Sequence, residues 1–340
     1  MPTPSPLVRV SVIVPMYNAE RYIANALHSI LQEQSIPLEV IVVNDGTTDG
    51  SLERLRQCTD PRLRLVESAG CGIAAALNTG LAHAQGEFIA RCDADDLYPG
   101  DRIHQQVDWL TAHPGWGAVC GGYAAIDAKG ERLVEFIDSP SPVDISMELC
   151  AGFARTHFCT YLIRTSVLRD LGGFRPYFTT AEDIDLQLRL GEVCPVWYVP
   201  SLCYFYRLHK SSITHTRSSI ERQFFDEVAR QFQQQRQTIG TDDLQRGCPP
   251  LPPQDLSRPL TAAEHIQNFL LWRAWCEHHA GQKWQALTTG FRSALVFPYR
   301  LSTWRSLAAL AMKPAQPTRL PLPTPLPVST SLTGKPTLRP

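Results

Sequence analysis

Three carboxylates lie within four residues, at Asp93, Asp95 and Asp96, directly after the apolar run 88–90. Close carboxylates repel each other unless a cation lies between them. If the chain stays extended, Asp93 and Asp95 share one side, because side chains alternate along a strand. Mg²⁺ or Mn²⁺ takes one or two carboxylates and completes its shell with water and substrate phosphates. The pattern predicts a metal–diphosphate site at a strand end; the alternative is a polar turn that caps a helix beginning near Asp101.

The hydrophobic pattern of the first ninety residues indicates the elements that position these carboxylates. Apolar runs typical of buried strands alternate with segments of helical spacing. The strands are predicted at 8–14, 39–43, 63–66 and 88–91, and the helices at 19–34, 51–57 and 72–84. Such alternation predicts an α/β fold with parallel strands, right-handed crossovers and ligands at the carboxyl edge of the sheet.

Two further polar loops follow strands at the same predicted edge. Tyr17 can stack on a base, and Asn44 and Asp45 can bond to a base edge or a ribose. Each residue alone is more often an ordinary loop residue, but three such loops on one edge favour a nucleotide site. Neither a G-x-G-x-x-G fingerprint nor a P-loop is present in the sequence.

Four segments in this order, 11–18, 42–49, 72–80 and 93–96, resemble the motifs of family 2 glycosyltransferases. The resemblance covers about residues 8–215. It implies a GT-A fold with a mixed central sheet flanked by helices, a nucleotide-sugar donor, Mg²⁺ or Mn²⁺, and inversion at the anomeric carbon. It also implies that Asp95 and Asp93 bind the metal and that the donor is bound by Pro15, Tyr17, Asn18, Asn44, Asp45, Asp93, Ala94, Arg207 and His209.

The second half of this region carries an acidic pair, Glu182 and Asp183. The apolar residues that follow the pair alternate as in a strand, but they include good helix formers, and the resembling family has a helix there. Glycosyl transfer to a hydroxyl needs a general base. By resemblance Glu182 and Asp183 are the catalytic acidic pair and Asp183 is that base; the alternative is an acid stabilised by a helix dipole. A helix at 101–112, strands at 117–123 and 158–163, and a hairpin turn at 127–130 are also predicted.

Residues 206–213 resemble a further motif of the family. Arg207 and His209 lie two residues apart, so both can face one side of an extended segment. A cation and an imidazole there would offset the charge of a leaving diphosphate. The alternative is a basic surface loop.

The whole chain of 340 residues has the composition of a globular protein, with 19% charged and 44% hydrophobic residues. A net charge of -1 gives no argument for nucleic acid. No apolar run is long enough for a membrane span, and no signal region is visible, so a cytoplasmic location is expected. The ten cysteines include no C-x-x-C pair, which favours free thiols over zinc.

The chain is predicted to divide into a catalytic domain (1–220), a helical region (221–312) with a Pro-rich linker near 248–253, and a disordered Pro-rich tail (313–340). No acidic residue follows Glu277. Pro298 predicts a separate short helix beyond it, whose apolar face comprises Leu301, Trp304, Leu307, Ala308 and Ala311. This face either packs on the preceding helices or lies peripherally on an anionic membrane, with Trp304 at the interface.

The sequence therefore predicts an inverting glycosyltransferase that moves a sugar to a hydroxyl of a glycan or lipid-linked acceptor. Because UDP-sugars are the most frequent donors in the resembling family, a UDP-sugar is the expected donor. Polysaccharide or cell-envelope synthesis is the expected setting. A nucleotidyltransferase is a second hypothesis, but it would need a basic Gly-rich loop where residues 15–18 have none. A non-catalytic sugar- or membrane-binding scaffold is a third, and such a scaffold has no need of Asp93, Asp95 and Asp183.

Overall fold

The computed structural model describes residues 8–70, 72–137, 139–209, 218–253 and 259–314. Contacts within the chain group them into two compact units. The first comprises 8–207 and 224–253, and the second comprises 208–223 and 254–314 within the described ranges. The predicted boundary at residue 220 stays a prediction, and residues 315–340 of the predicted tail lie outside the described residues.

The first unit contains a mixed β-sheet and most of the helices. Its strands are β1 (Val10–Met16), β2 (Leu38–Asn44), β3 (Leu63–Glu67), β4 (Phe88–Arg91), β5 (Ala118–Ile126), β6 (Arg132–Phe136), β7 (Val143–Asp144), β8 (Leu162–Arg164) and β9 (Val196–Arg207). Its helices are α1 (Ile23–Leu31), α2 (Ser51–Arg56), α3 (Ile73–His83), α4 (Arg102–Ala112), α5 (Ser146–Cys150), α6 (Thr165–Asp170) and α7 (Glu182–Val193). Helix α8 (Ser219–Ile239) begins in the second unit and belongs to the first from Phe224 onward.

The sheet has the strand order β3-β2-β1-β4-β8-β5-β9-β7, with β6 paired to β5. Strands β1 to β4 are parallel, β8 is antiparallel to both of its neighbours, and β5 and β9 are parallel. The expected mixed α/β architecture is confirmed. Because β1, β2 and β4 are parallel, the polar loops that follow them meet at one carboxyl edge.

Helices cover both faces of the sheet, which explains the continuous apolar runs of the inner strands. Val10, Val12 and Val14 of β1 pack with α1 and α4, whereas Ile13 packs with α3 in a second core. Alternate side chains of the same strand therefore enter two different cores, and every position must be apolar.

Two sequence predictions have different outcomes in this unit. The helix predicted from Glu182 is confirmed, and its apolar residues alternate because it is buried on nearly every side. The strand predicted at 158–163 is wrong in its first half. The imidazole of His157 accepts a hydrogen bond from the Cys159 amide and caps a 3₁₀ turn (Phe158–Thr160), so the strand begins only at Leu162.

In its described residues, the second unit contains the first turn of α8 and the helices α9 (Ala262–His279), α10 (Lys283–Val296) and α11 (Leu301–Met312). A reciprocal pair of side-chain bonds between Thr261 and Glu264 caps the start of α9. Helix α11 is separate from α10, as Pro298 predicts. None of the helices described is both long and apolar enough to cross a membrane.

The packed face of α11 differs from the predicted one. Its buried residues are Thr303 and Leu310, whereas Leu301 is 71% exposed and Ala308 and Ala311 are also exposed. The reason lies on α10, where Gly290 has no side chain. A Cβ there would come within 3.1 Å of a methyl carbon of Leu307 and of Leu310. The groove at Gly290 therefore selects the side of α11 that packs, and leaves most of the predicted face uncovered.

Candidate active site

The loops after β1 and β2 are locked together at the carboxyl edge of the sheet. The Asp45 amide donates to the Met16 carbonyl at 3.0 Å. Asn18, with a positive φ of 49°, donates from its backbone to the Thr47 hydroxyl, and its side-chain oxygen accepts from the Thr48 amide. Asn tolerates this left-handed conformation better than most residues do. Asn18 thus acts here as a clamp between two loops.

The other residues predicted near the nucleoside differ in their exposure. Asn44 is buried; its amide donates to Glu67 at 2.7 Å, and its oxygen accepts from the Thr47 backbone at 3.0 Å. Pro15 lies within β1 and is half-buried. Tyr17 is 59% exposed, so its ring is accessible at the edge of the sheet. Asn44 therefore shapes the loop, and Tyr17 offers a surface.

Asp45 has one carboxylate oxygen that is buried and has no hydrogen-bond partner. Its Oδ2 accepts from the Gly72 amide at 3.0 Å, while Oδ1 accepts from none of the residues that the structure describes. A buried polar atom without a partner costs about 1–3 kcal/mol, so such atoms are rare outside functional sites. The geometry therefore leaves Oδ1 of Asp45 able to accept a hydrogen bond from a ligand, beside the exposed Tyr17.

The loop after β4 turns rather than continuing as a strand. The Asp96 amide donates to the Asp93 carbonyl at 3.1 Å, and residues 94–95 form the turn. The chain therefore does not stay extended here, and strand alternation no longer argues that Asp93 and Asp95 share a side. Ala94 is buried in the core, so it can offer only backbone atoms to a donor. The half-buried Asp95 lies in the turn.

The third carboxylate of this loop, Asp96, is bound by two donors from β9. The Tyr204 hydroxyl and the Arg207 amide each donate to it at 2.6 Å. Burial raises the pKa of Asp96 well above its usual range, and Asp95 and Asp93 raise it further. Asp96 therefore anchors the 93–96 loop, which is predicted to bind the metal, to β9.

Arg207 is itself buried, and its guanidinium is used within the protein. Its Nε donates to the Asp95 carbonyl at 2.7 Å, and its Nη1 donates to the carbonyl of Asp127 at 3.2 Å. The predicted contact of Arg207 with a diphosphate stays a prediction. His209 belongs to the second compact unit, and its predicted contact with the donor stays a prediction.

A buried arginine, Arg91, joins the 93–96 loop to the acidic pair on α7. Its guanidinium bonds to both oxygens of Asp93, at 2.7 and 3.2 Å, and to Glu182 at 3.0 Å. Burial raises the pKa of Glu182 to about 7; Arg91 opposes this shift and Asp183 adds to it. Through one side chain, the loop predicted to bind diphosphate is held against the start of the helix that carries the predicted base.

His157 also lies in this cluster, although no sequence pattern pointed to it. Its ring stacks on Tyr204 and Tyr206, with centroids 5.4 and 5.2 Å away. Burial lowers the pKa of His157, against the opposing effect of Asp183 and Asp93. A lone histidine before an apolar run carries no signal in the sequence, so only the fold brings it to the acids.

The carboxylates of the 93–96 loop fit a hard divalent cation that also takes ligands from a substrate. Within the described ranges, no three acidic, histidine or cysteine side chains converge into a metal site of their own. Asp93 is already bound by Arg91, and Asp95 lies in the adjacent turn. One or two carboxylates with the remaining positions filled by water and phosphate is the usual arrangement for Mg²⁺.

Comparison with known proteins identifies the family. The model of glycosyl transferase family 2 matches residues 11–171. An uncharacterized glycosyltransferase of Rickettsia typhi is 31% identical over 222 residues, which is 63% of this chain and 68% of that protein. One of Rickettsia conorii is 32% identical over 210 residues, 59% of this chain but 34% of that protein, so the chain spans only about a third of this longer relative.

A solved structure has the same fold at low sequence identity. S. aureus TarS 1–349, crystallised with UDP-GlcNAc, is 18% identical with a TM-score of 0.55, covering 89% of this chain and 83% of that one. The sheet, the loops at its carboxyl edge and the sequence matches agree with one another. The chain belongs to glycosyltransferase family 2 and has the GT-A fold.

Proposed function

We propose that this protein transfers a sugar from a nucleoside diphosphate sugar to a hydroxyl of a glycan or lipid-linked acceptor, with inversion at the anomeric carbon. The observation that best supports this proposal is that Arg91 bonds both to Asp93, at the end of β4, and to Glu182, beside Asp183. Inverting transfer needs a base close to the anomeric carbon of a donor whose diphosphate is held nearby.

The nucleoside would be bound by Asp45 and Tyr17. The unpartnered Oδ1 of Asp45 would accept an N–H of the base, and the exposed ring of Tyr17 would stack on it. UDP is the proposed carrier, because an imide N–H of uracil suits a carboxylate acceptor and because TarS of similar fold was crystallised with UDP-GlcNAc. Asn18 and Asn44 would keep both loops in shape.

The diphosphate would lie at the 93–96 loop. Asp95, with Asp93 behind it, would hold Mg²⁺ or Mn²⁺, and such a cation offsets the charge that develops on the leaving diphosphate. Arg91 fixes Asp93, while Tyr204 and Arg207 fix Asp96. The loop therefore needs little rearrangement to receive its ligand.

Asp183 would act as the general base. It would take the proton of the acceptor hydroxyl while the new C–O bond forms and the bond from the anomeric carbon to the diphosphate breaks. Asp183 is half-buried and so reachable by an acceptor, whereas Glu182 is buried against Arg91. We assign proton transfer to Asp183 and a positioning role to Glu182.

Calorimetry with UDP and with uridine tests the two halves of the donor site. UDP should bind more tightly with Mn²⁺ than with EDTA, and Asp95→Ala should remove that difference. Asp45→Ala should weaken uridine binding by about tenfold to 150-fold, the loss of a hydrogen bond to a charged group. Asp95→Ala should leave uridine binding unchanged.

A screen of nucleotide sugars for slow hydrolysis identifies the donor and separates the alternatives. Release of free sugar and nucleoside diphosphate supports a transferase. Consumption of sugar phosphate and nucleoside triphosphate would support a nucleotidyltransferase instead. A protein that binds the donor but neither hydrolyses it nor transfers its sugar to an offered acceptor glycan would support the scaffold hypothesis. Equal UDP binding with and without chelator would contradict the metal assignment.

A further inference from the structure

The second unit exposes a continuous apolar surface on α10 and α11. Trp284 is 83% exposed and Tyr299 is 86% exposed, and large apolar side chains between them are uncovered as well. The α10–α11 surface comprises Trp284, Phe291, Leu295, Tyr299, Leu301 and Trp304. Isolated exposed apolar residues are ordinary, but a contiguous patch of this kind marks an interaction site.

Helical spacing makes the surface continuous. Trp284, Phe291 and Leu295 are seven and four residues apart, so they form one stripe along α10. Leu301 and Trp304 form a second stripe at the start of α11, on the side that Gly290 does not bury. The rings of Phe291 and Trp304 meet edge to face at 6.4 Å and join the two stripes.

The charged residues of α10 and α11 have a single sign. Arg292 on α10 and Arg305 on α11 are both exposed beside the stripes. Neither helix contains an aspartate or glutamate, and none follows Glu277 in the sequence. Cationic residues bordering Trp, Phe and Leu on a helix surface are typical of helices that lie in the interface of an anionic bilayer.

We propose that the α10–α11 surface docks on an anionic membrane, with the apolar stripes entering the headgroup region. Trp and Tyr favour that depth because one end of each ring system is polar. A second copy of the chain is a poorer occupant, because self-association would bring Arg292 and Arg305 against their own kind with no carboxylate on either helix to pair them. The contact would be peripheral and separate from transfer chemistry, so it goes beyond the proposed function and stands or falls independently of it.

Flotation of the full chain with lipid vesicles tests the proposal. Binding to phosphatidylcholine vesicles that contain phosphatidylglycerol should exceed binding to phosphatidylcholine alone, and it should weaken as salt rises. The double substitution Trp284→Ser and Phe291→Ser should weaken partitioning at least about tenfold, the loss expected for two large apolar side chains. The double substitution Arg292→Glu and Arg305→Glu should abolish the preference for anionic vesicles.

Matched changes in the first unit serve as controls. Met147→Ser removes another exposed apolar side chain, and Arg54→Glu reverses another exposed charge. Both should bind vesicles as the unmodified chain does, and every variant should keep its melting temperature. Three results would overturn the proposal: no flotation of the full chain, equal loss in the controls, or a dimer in light scattering that the Trp284 and Phe291 changes dissociate.

Discussion

Helix α7 carries two buried charge clusters that differ in the balance of their charges. The first cluster pairs every carboxylate with arginine: Asp185 with Arg175 and Arg189, and Asp242 with Arg175 and Arg236. Arg236 also binds Glu192 at 2.7 Å. Three arginines therefore face three carboxylates. We call these six residues the structural cluster.

The cluster at the start of the helix is not balanced in this way. Arg91 is shared between Asp93 and Glu182, and the guanidinium of Arg207 donates hydrogen bonds to backbone carbonyls instead of binding a carboxylate. We call the following residues the site cluster: Asp93, Asp95, Asp96, Glu182 and Asp183 with Arg91 and Arg207. Among the residues that the structure describes, its carboxylates outnumber its arginines, and one of them, Glu182, has a pKa raised to about 7.

The comparison teaches where buried charge serves stability and where it serves chemistry. A buried charge without a partner is costly, so a cluster that only supports the fold is expected to be neutral. An excess of carboxylates is tolerated where a cation or a proton completes it during function. Charge balance thus separates two acidic residues that are two positions apart, Asp183 and Asp185.

The largest expected effect comes from Asp183→Asn, which keeps the shape of the side chain and removes the base. Transfer should fall by about 10²–10⁴-fold, while the melting temperature and UDP affinity stay nearly unchanged. Single-turnover transfer and calorimetry measure the two quantities. Near-normal turnover in this variant would refute the assignment.

Asp185→Asn is the matched change in the structural cluster, on the same first turn of α7. It removes the charged partner of Arg189 and one of the two carboxylates that bind Arg175, so the free energy of unfolding should fall by about 3–5 kcal/mol. Turnover per folded molecule should hold. Urea denaturation with activity corrected for the folded fraction checks this; a stable but inactive protein would reverse the roles that the comparison gives to the two aspartates.

Arg91→Met should make the site cluster more dependent on metal. Asp93 and Glu182 lose their shared cation, so the protein should melt lower without metal and gain more from Mn²⁺ than the unmodified chain does. Mn²⁺ at about a hundred times its Kd would return about 2.7 kcal/mol. Arg102→Met is the control, because Arg102 is also buried but bonds to Gln106 and to the Tyr161 carbonyl. Equal responses to Mn²⁺ in both variants would show that Arg91 does not substitute for the metal.

Glu182→Gln should change the pH dependence of stability. The pKa of Glu182 is raised by burial from 4.5 to about 7, so the folded state binds more protons than the unfolded state between these values. Stability from this group is therefore present below pH 4.5 and is lost as pH rises through 7. The Gln variant should lack this decline, which amounts to at most about 3 kcal/mol. A decline of the same size in both proteins would locate it elsewhere.

The sequence by itself determined the order of strands and helices in the first half of the chain. The periods of apolar residues predict elements, and parallel strands bring their following loops to one edge whatever their side chains are. This is why the sequence alone predicts Tyr17, Asp45 and Asp95 at the same edge of the sheet. The helix from Glu182 needed the family resemblance as well, because a helix buried all round loses its helical period.

Only the tertiary structure decided the contacts between distant parts of the chain. Arg91 and Glu182 are 91 residues apart in sequence, and no local pattern pairs them. The turn at 94–95, the histidine at 157 and the unpartnered oxygen of Asp45 depend likewise on neighbours from other elements. On α11, the missing side chain of Gly290 selected the buried face. Local periodicity fixes which elements form, whereas charge pairing and packing between elements depend on three-dimensional proximity, which a single sequence does not encode at any fixed spacing.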